Sequence, residues 1–168
     1  MNEIIPSVKV AVYPGSFDPI TLGHLNIIRR ASRIFDRVYV CVMVNSSKRS
    51  LFTLKERMDF IRRAACRFPN VEVEHSEKLL VEYAKEKNAD VIIRGLRAVS
   101  DFESEFQMAM TNSKIEPKIE TMFLAAGDAY TYLSSSVVKE MAKYGADLGK
   151  FVPWEIIDDI EQKIKNRG

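Results

Sequence analysis

The chain has 168 residues, 46% of them hydrophobic and 29% charged, and its 25 basic and 23 acidic residues leave a net charge of +2. That is the composition of a globular chain long enough to bury a core, read as one domain over residues 1–168. The charges are spread along the whole chain, which excludes the concentrated basic face of a general nucleic-acid binder, and no apolar stretch approaches the ~20 residues that span a bilayer.

From the amino end, Met1–Ser7 carries an acid and a proline with no apolar core, so it does not read as a signal peptide. Val8–Tyr13 is a predicted strand, followed by a helix over Leu22–Phe35. A second strand, Val38–Val44, and a second helix, Leu54–Phe68, come next, and Thr53 with Glu56 has capping-box spacing at that helix start. Then follow Val71–His75 as strand, Leu79–Glu86 as helix, Val91–Arg94 as strand and Asp101–Ser113 as helix, with Ser100 and Glu103 as a second capping box. Thr121–Leu124 reads as the fifth strand, a helix follows Ser134–Ser136, and Pro153 opens the last one. Cys41 sits within an apolar run, Cys66 lies far from it, and the pair has no metal-ligand spacing, so a reducing, cytoplasmic setting is expected.

Strands alternate with helices over short connections, and runs such as Val38–Val44 are apolar on both faces. The expected fold is therefore α/β, a doubly wound parallel sheet covered on both sides, with C-terminal helices. In such a sheet ligands bind beyond the carboxyl ends of the strands, where the strand order reverses. The segments to inspect are then Pro14–His24, Asn45–Arg49, Gly95–Arg97 and Ala125–Ser136.

In the first segment Thr21 is a candidate helix N-cap, which places Gly23 and His24 in the first turn, where free amides and the helix dipole favour a phosphate. The alternative is a proline-rich turn with a surface histidine; Ser16 and two glycines at the same turn favour the anion site. Lys48 follows the second strand and would project over the sheet edge, unless the segment is a solvated basic turn. Arg94 and Arg97 flank Gly95 at a strand end, and guanidiniums match phosphate oxygens bidentately. Arg94 ends an apolar run and needs a partner, either a ligand phosphate, the preferred reading, or Glu103 or Glu105. Ser134–Ser136 supplies hydroxyls and amides to a second anion, with one serine serving as N-cap. Neither G-x-G-x-x-G nor G-x-x-x-x-G-K-[ST] occurs, so dinucleotide and Walker sites are disfavoured.

Pro-Gly-Ser-Phe-Asp-Pro-Ile-Thr at 14–21, Gly23-His24, Ile-Arg-Gly-Leu-Arg at 93–97 and Ser134–Ser136 occur in the order and spacing of the phosphopantetheine adenylyltransferases, which the chain resembles from about Lys9 to its last helix. Ser16 stands where many members carry threonine, which keeps the hydroxyl. The resemblance implies a Rossmann-like nucleotidyltransferase fold and the transfer of an adenylyl group from ATP to 4'-phosphopantetheine, giving dephospho-coenzyme A and pyrophosphate. It implies catalytic roles for His24, Lys48 and Arg97, and an acceptor site at Ser16, Lys48, Leu80 and Arg94. The ATP side would comprise Ser16, Phe17, His24, Gly95, Leu96, Arg97 and Glu105 together with Tyr130, Thr131, Tyr132, Leu133, Ser134, Ser135 and Ser136. Mg²⁺ is expected on ATP oxygens rather than in a carboxylate cage. Coenzyme A as feedback ligand, a homohexamer, and no nucleic-acid or membrane partner complete the implied picture. The alternatives are nicotinamide mononucleotide adenylyl transfer or cytidylyl transfer on the same fold, and a non-catalytic nucleotide sensor.

Overall fold

The computed structural model describes residues 8–45 and 49–166, with the side chains of residues 99 and 100 not described. Five parallel strands form one sheet: β1 Val10–Gly15, β2 Arg37–Met43, β3 Val71–Ser76, β4 Val91–Leu96 and β5 Glu120–Ala125, in the order β3-β2-β1-β4-β5. The chain builds outward from β1 to β3, then returns to the other side of β1. The order therefore reverses between β1 and β4, and a crevice opens at their carboxyl ends.

Among the described residues six α-helices connect and cover the strands: α1 Leu22–Ile34, α2 Leu54–Ala65, α3 Leu80–Glu86, α4 Val99–Ile115, α5 Ser135–Lys143 and α6 Ile157–Lys165. Alternation along the strands sorts the core into two faces. Ala11, Val38, Val40 and Val42 point to a large cluster that also holds residues of α1, α2, α5 and α6, while Val10, Val12, Tyr39 and Cys41 point to a smaller one completed by Val81, Tyr83 and Ala84 of α3. Both faces of the sheet are apolar because both are covered, which is why β2 reads as a continuous hydrophobic run.

The expected Thr53–Glu56 capping box is present, each side chain accepting from the other's backbone N–H. The expected Ser100–Glu103 box is not: α4 starts two residues earlier, with Ala98 as N-cap and no side-chain cap. The chain leaves β4 at Leu96 and has only two residues before the helix, and Asp101 takes over by accepting from Arg97 N at 3.4 Å. Pro153 caps a short 3₁₀ turn, Trp154–Ile156, that leads into α6 rather than opening the α-helix itself.

Candidate active site

On the β1 side, the connection to α1 is folded around Phe17. This residue has φ +45°, uncommon away from glycine, and its ring is buried against Tyr13 (5.5 Å between centroids) and His24 (5.0 Å), both edge-on. Position 15 must be glycine, since a Cβ there would meet the Phe17 ring at 2.9 Å. A Cβ on Gly23 would meet only ordinary contacts, at 3.5 Å from Thr21 and Tyr130, so protein packing alone does not demand a glycine in that first turn.

Thr21 is the N-cap of α1, and His24 stands in the place a capping box usually gives to glutamate. The Thr21 backbone N–H donates to His24 Nδ1 at 3.1 Å, and the His24 N–H donates to Thr21 Oγ1 at 3.2 Å. Because a backbone amide can only donate, Nδ1 must present its lone pair, and the ring proton resides on Nε2. Burial, then the positive charge of Arg97, lowers the His24 pKa from its ordinary value to about 4. The ring is thus a neutral N–H donor, not the solvated surface histidine of the alternative reading.

On the β4 side the donors are charged and already engaged. Arg94 forms a two-pronged ion pair with Glu105 of α4, Nη2 donating to Oε1 at 2.7 Å and Nε to Oε2. A protein carboxylate therefore occupies Arg94, where the sequence reading preferred a ligand phosphate; the guanidinium still lies in the cleft wall. Arg97 donates to Asp101 through Nε (3.1 Å) and Nη2 (3.3 Å), and through Nη1 to the Leu133 carbonyl (3.1 Å). Between them Tyr13 is buried, which raises its pKa and keeps its hydroxyl protonated.

The third wall follows β5. After the 3₁₀ turn Asp128–Tyr130, Ser134 caps α5 by accepting from Val137 N at 3.1 Å. Ser135 Oγ donates to the Pro19 carbonyl at 2.8 Å, which ties α5 to the β1–α1 connection.

These walls enclose one cleft of about 250 Å³ at the β1/β4 switch point. Of the residues selected from sequence, Ser16, His24, Arg94, Gly95 and Arg97 line it, as do Tyr130, Leu133, Ser134 and Ser135. Phe17, Leu96, Glu105, Thr131, Tyr132 and Ser136 are absent from its lining: Phe17 backs the His24 ring, Glu105 holds Arg94, and Tyr132 is exposed. Leu80 opens α3 and packs on the smaller core cluster, also away from the lining. Lys48 lies outside the described residues. Sequence reasoning missed Tyr13 and Ile27 as wall residues. Tyr13 carried a signal, a polar tip at the last position of a predicted strand; Ile27 carried none, since it reads as one more apolar residue of an amphipathic helix.

No aspartate or glutamate lines the cleft, and among the described residues no group of three His, Cys, Asp or Glu could hold a metal ion. What the walls offer is a set of donors: a neutral imidazole, two guanidiniums, hydroxyls and the amides of two helix starts. Such a set fits polyanionic phosphates.

Residues 12–141 match the family model described as cytidylyltransferase-like. The phosphopantetheine adenylyltransferase of Caldanaerobacter subterraneus subsp. tengcongensis is 50% identical over 158 residues, covering 94% of this chain and 99% of that protein. That of Clostridium botulinum is 51% identical over 160 residues, covering 95% and 98%. Among solved structures, a putative nicotinate-nucleotide adenylyltransferase from Vibrio parahaemolyticus superposes with a TM-score of 0.64 at 17% identity, over 95% of this chain and 93% of that one. A lipopolysaccharide core biosynthesis protein from Thermoplasma volcanium superposes with a TM-score of 0.56 at 19% identity, over 73% of this chain and 100% of that one. At those identities the structural matches speak for the fold.

Proposed function

The chain belongs to the phosphopantetheine adenylyltransferases, within the cytidylyltransferase-like family, and we propose from that premise that its cleft transfers the adenylyl group of ATP to 4'-phosphopantetheine in coenzyme A biosynthesis. An oxygen of the acceptor phosphate attacks the α-phosphorus in line, a new P–O bond forms, and the bond to the departing pyrophosphate breaks. The products are dephospho-coenzyme A and pyrophosphate.

The observation that carries this reading is the donor set around His24. The acceptor phosphate is already anionic, so no general base is needed, and none lines the cleft. The chemical demand is to hold two anions together and to stabilise charge that grows on the leaving side. A neutral Nε2–H on a half-buried ring suits the second task, because its hydrogen bond strengthens as the α–β bridge breaks, and only that increment accelerates the reaction. Arg97 and the serines at the start of α5 serve the triphosphate, Tyr130 and Leu133 the nucleoside, and Arg94 with Ser16 and Lys48 the acceptor. Mg²⁺ enters as part of the substrate, MgATP, since the walls present no carboxylate to hold it independently.

The finer assignments belong to the same proposal. α4 exposes Phe102, Phe106, Met108, Met110 and Ile115, and a second copy of the chain is the occupant that an assembly into a homohexamer would supply. Sedimentation as a monomer at micromolar concentration overturns it. Among the described residues no helix is long and apolar enough to cross a membrane, and both cysteines are free, which supports a cytoplasmic setting. Coenzyme A, which contains the product, is the expected feedback ligand of the same cleft. The test of the activity is pyrophosphate release with MgATP and a panel of acceptors: 4'-phosphopantetheine is expected to be used, and unphosphorylated pantetheine is not. A higher kcat/KM for nicotinamide mononucleotide overturns the assignment.

A further inference from the structure

Asp18 is among the few buried charged residues, 5% exposed, yet it does not line the cleft. Its two oxygens accept from three places. Oδ1 accepts from Phe52 N at 2.9 Å, while Oδ2 accepts from Leu51 N at 2.9 Å and from Lys139 Nζ at 3.1 Å. Leu51 and Phe52 end the connection between β2 and α2, and Lys139 lies on α5. Neighbouring ties converge on the same loop: Arg57 of α2 donates to the Ser16 carbonyl at 2.8 Å, and Ser135 donates to that of Pro19.

We propose that Asp18 is a positioning residue for the transfer reaction, a buried carboxylate that joins three segments, fastening its own loop and the start of α5, which both line the cleft, to the described end of the β2–α2 connection. The first is its own loop, with Ser16 on one side and His24 on the other. The second is the end of the β2–α2 connection, Leu51 and Phe52, which leads into the helix whose Arg57 holds the Ser16 carbonyl. The third is α5, whose first turn begins with Ser134 and Ser135 and whose next turn carries Lys139. These segments come from three different strand ends and have no common secondary structure, so their relative placement depends on side-chain ties. A turn or cap would need a single amide. Two amides and an ammonium from elements 33, 34 and 121 residues away in sequence hold two sides of the reaction in register. Charge-assisted bonds to a buried carboxylate are the strong kind, and a misplacement of about 1 Å is enough to cost ~10²-fold in rate.

The inference rests on the adenylyl-transfer reading, and its test separates the two. Asp18→Asn keeps the shape but removes the charge and turns an NH₂ toward a donor. Measured well below its melting temperature, it is expected to lower kcat roughly 10²-fold while KM for ATP stays within about threefold, the pattern of lost alignment rather than lost binding. Hydrogen exchange provides the readout independent of activity: the Leu51 and Phe52 amides are expected to lose protection in the variant while those of β1 and β2 keep theirs. Free exchange at these amides with near-normal kcat makes the carboxylate a purely structural tie and overturns the proposal; intact protection with a collapsed kcat overturns it as well. Should Asp18→Asn be too unstable to assay, Lys139→Met tests the clamp from its third arm. With α5 no longer fastened it is expected to lower kcat about tenfold at a KM for ATP within about threefold, while the Leu51 and Phe52 amides keep their protection, and wild-type kcat overturns the scheme. If the wild-type protein releases no pyrophosphate with 4'-phosphopantetheine, the adenylyl-transfer reading fails, and the exchange measurement still decides whether the clamp exists.

Discussion

Two of the three walls of the cleft present hydrogen-bond donors in opposite ways, and on the proposed reading both face phosphate. On the β1 wall the donor is a neutral imidazole whose tautomer is fixed by a backbone amide and whose ring is locked between Thr21 and Phe17. On the β4 wall the donors are permanent cations, held by protein carboxylates in the absence of ligand: Arg94 by Glu105 and Arg97 by Asp101. The first wall has nothing to rearrange when substrate arrives. The second must exchange or share an ion pair. On the proposed reading the difference predicts an effect on rate at the β1 wall and on affinity at the β4 wall, because preorganised donors act on developing charge without reorganisation, whereas an exchanged ion pair contributes only a difference of two similar energies.

The largest expected effect comes from breaking the β1 wall. His24→Ala is expected to lower kcat by about 10²–10³, or roughly 3–4 kcal/mol, with a much smaller change in KM for ATP and a Tm a few degrees lower, since the Thr21 amide loses its cap and Phe17 a ring contact. A variant that is folded at the assay temperature and keeps more than about a tenth of wild-type kcat removes His24 from the reaction. The tautomer is open to a direct check. With His75→Gln to simplify the spectrum, nitrogen NMR of the free protein is expected to show the His24 proton on Nε2 and no titration until the pH nears about 4. The sign of the linked stability follows. The unfolded chain takes up this proton near pH 6.5 and the folded one near 4, so His24 destabilises the fold progressively as pH drops through that window and contributes no slope above it. A His24 midpoint near 6.5 in the free protein would remove the distinction between the walls.

A smaller and different effect is expected on the β4 wall. Arg94→Lys keeps the charge but loses the planar fork, so both the pairing with Glu105 and bidentate phosphate binding are weakened. KM for 4'-phosphopantetheine is expected to rise about tenfold, the lower end of what a charged hydrogen bond contributes, with kcat changed less. Steady-state kinetics with the acceptor varied decides it; a loss confined to kcat would place Arg94 with His24 instead.

The same division explains what could be seen in the sequence. The sheet was legible because β-branched runs such as Val38–Val44 announce strands covered on both faces, and the Thr53–Glu56 spacing announced the start of α2. The His24 turn was legible from Thr21 and Gly23, since helix-start chemistry is local. Partners across the cleft were not legible to the same degree. Arg94 was known to need a counter-charge, but whether a ligand, Glu103 or Glu105 supplied it depended on where α4 starts, and that start was set by Asp101 reaching back to Arg97 rather than by the Ser100 signal. Asp18 stood in the sequence only as part of the Pro14–Thr21 motif; its amide partners lie 33 and 34 residues away, and no periodicity encodes that distance.

The smallest expected effect sharpens the comparison at the third wall, where two adjacent serines stand in different states. Ser135 has committed its hydroxyl proton to the Pro19 carbonyl, so in the free protein it serves as a tie. Ser134 uses its oxygen as the acceptor that caps α5, and its own proton is left to donate into the cleft it lines. Ser134→Ala is therefore expected to remove two things at once: a helix cap, about 1 kcal/mol, and the hydrogen bond to the triphosphate that the proposed function assigns to this hydroxyl, of similar size. In a chain of this length the first is a drop of about 2–4 °C in Tm. The second is a rise in KM for ATP of roughly three- to tenfold. Ser135→Ala is expected to cost comparable stability, through the lost tie to the β1–α1 connection, but a smaller change in KM, since its backbone amide remains at the helix start. Thermal melts and ATP-varied kinetics on the two variants give four numbers. If Ser135→Ala shows the larger KM effect, its hydroxyl must leave Pro19 when ATP binds, and the third wall then rearranges as the β4 wall does.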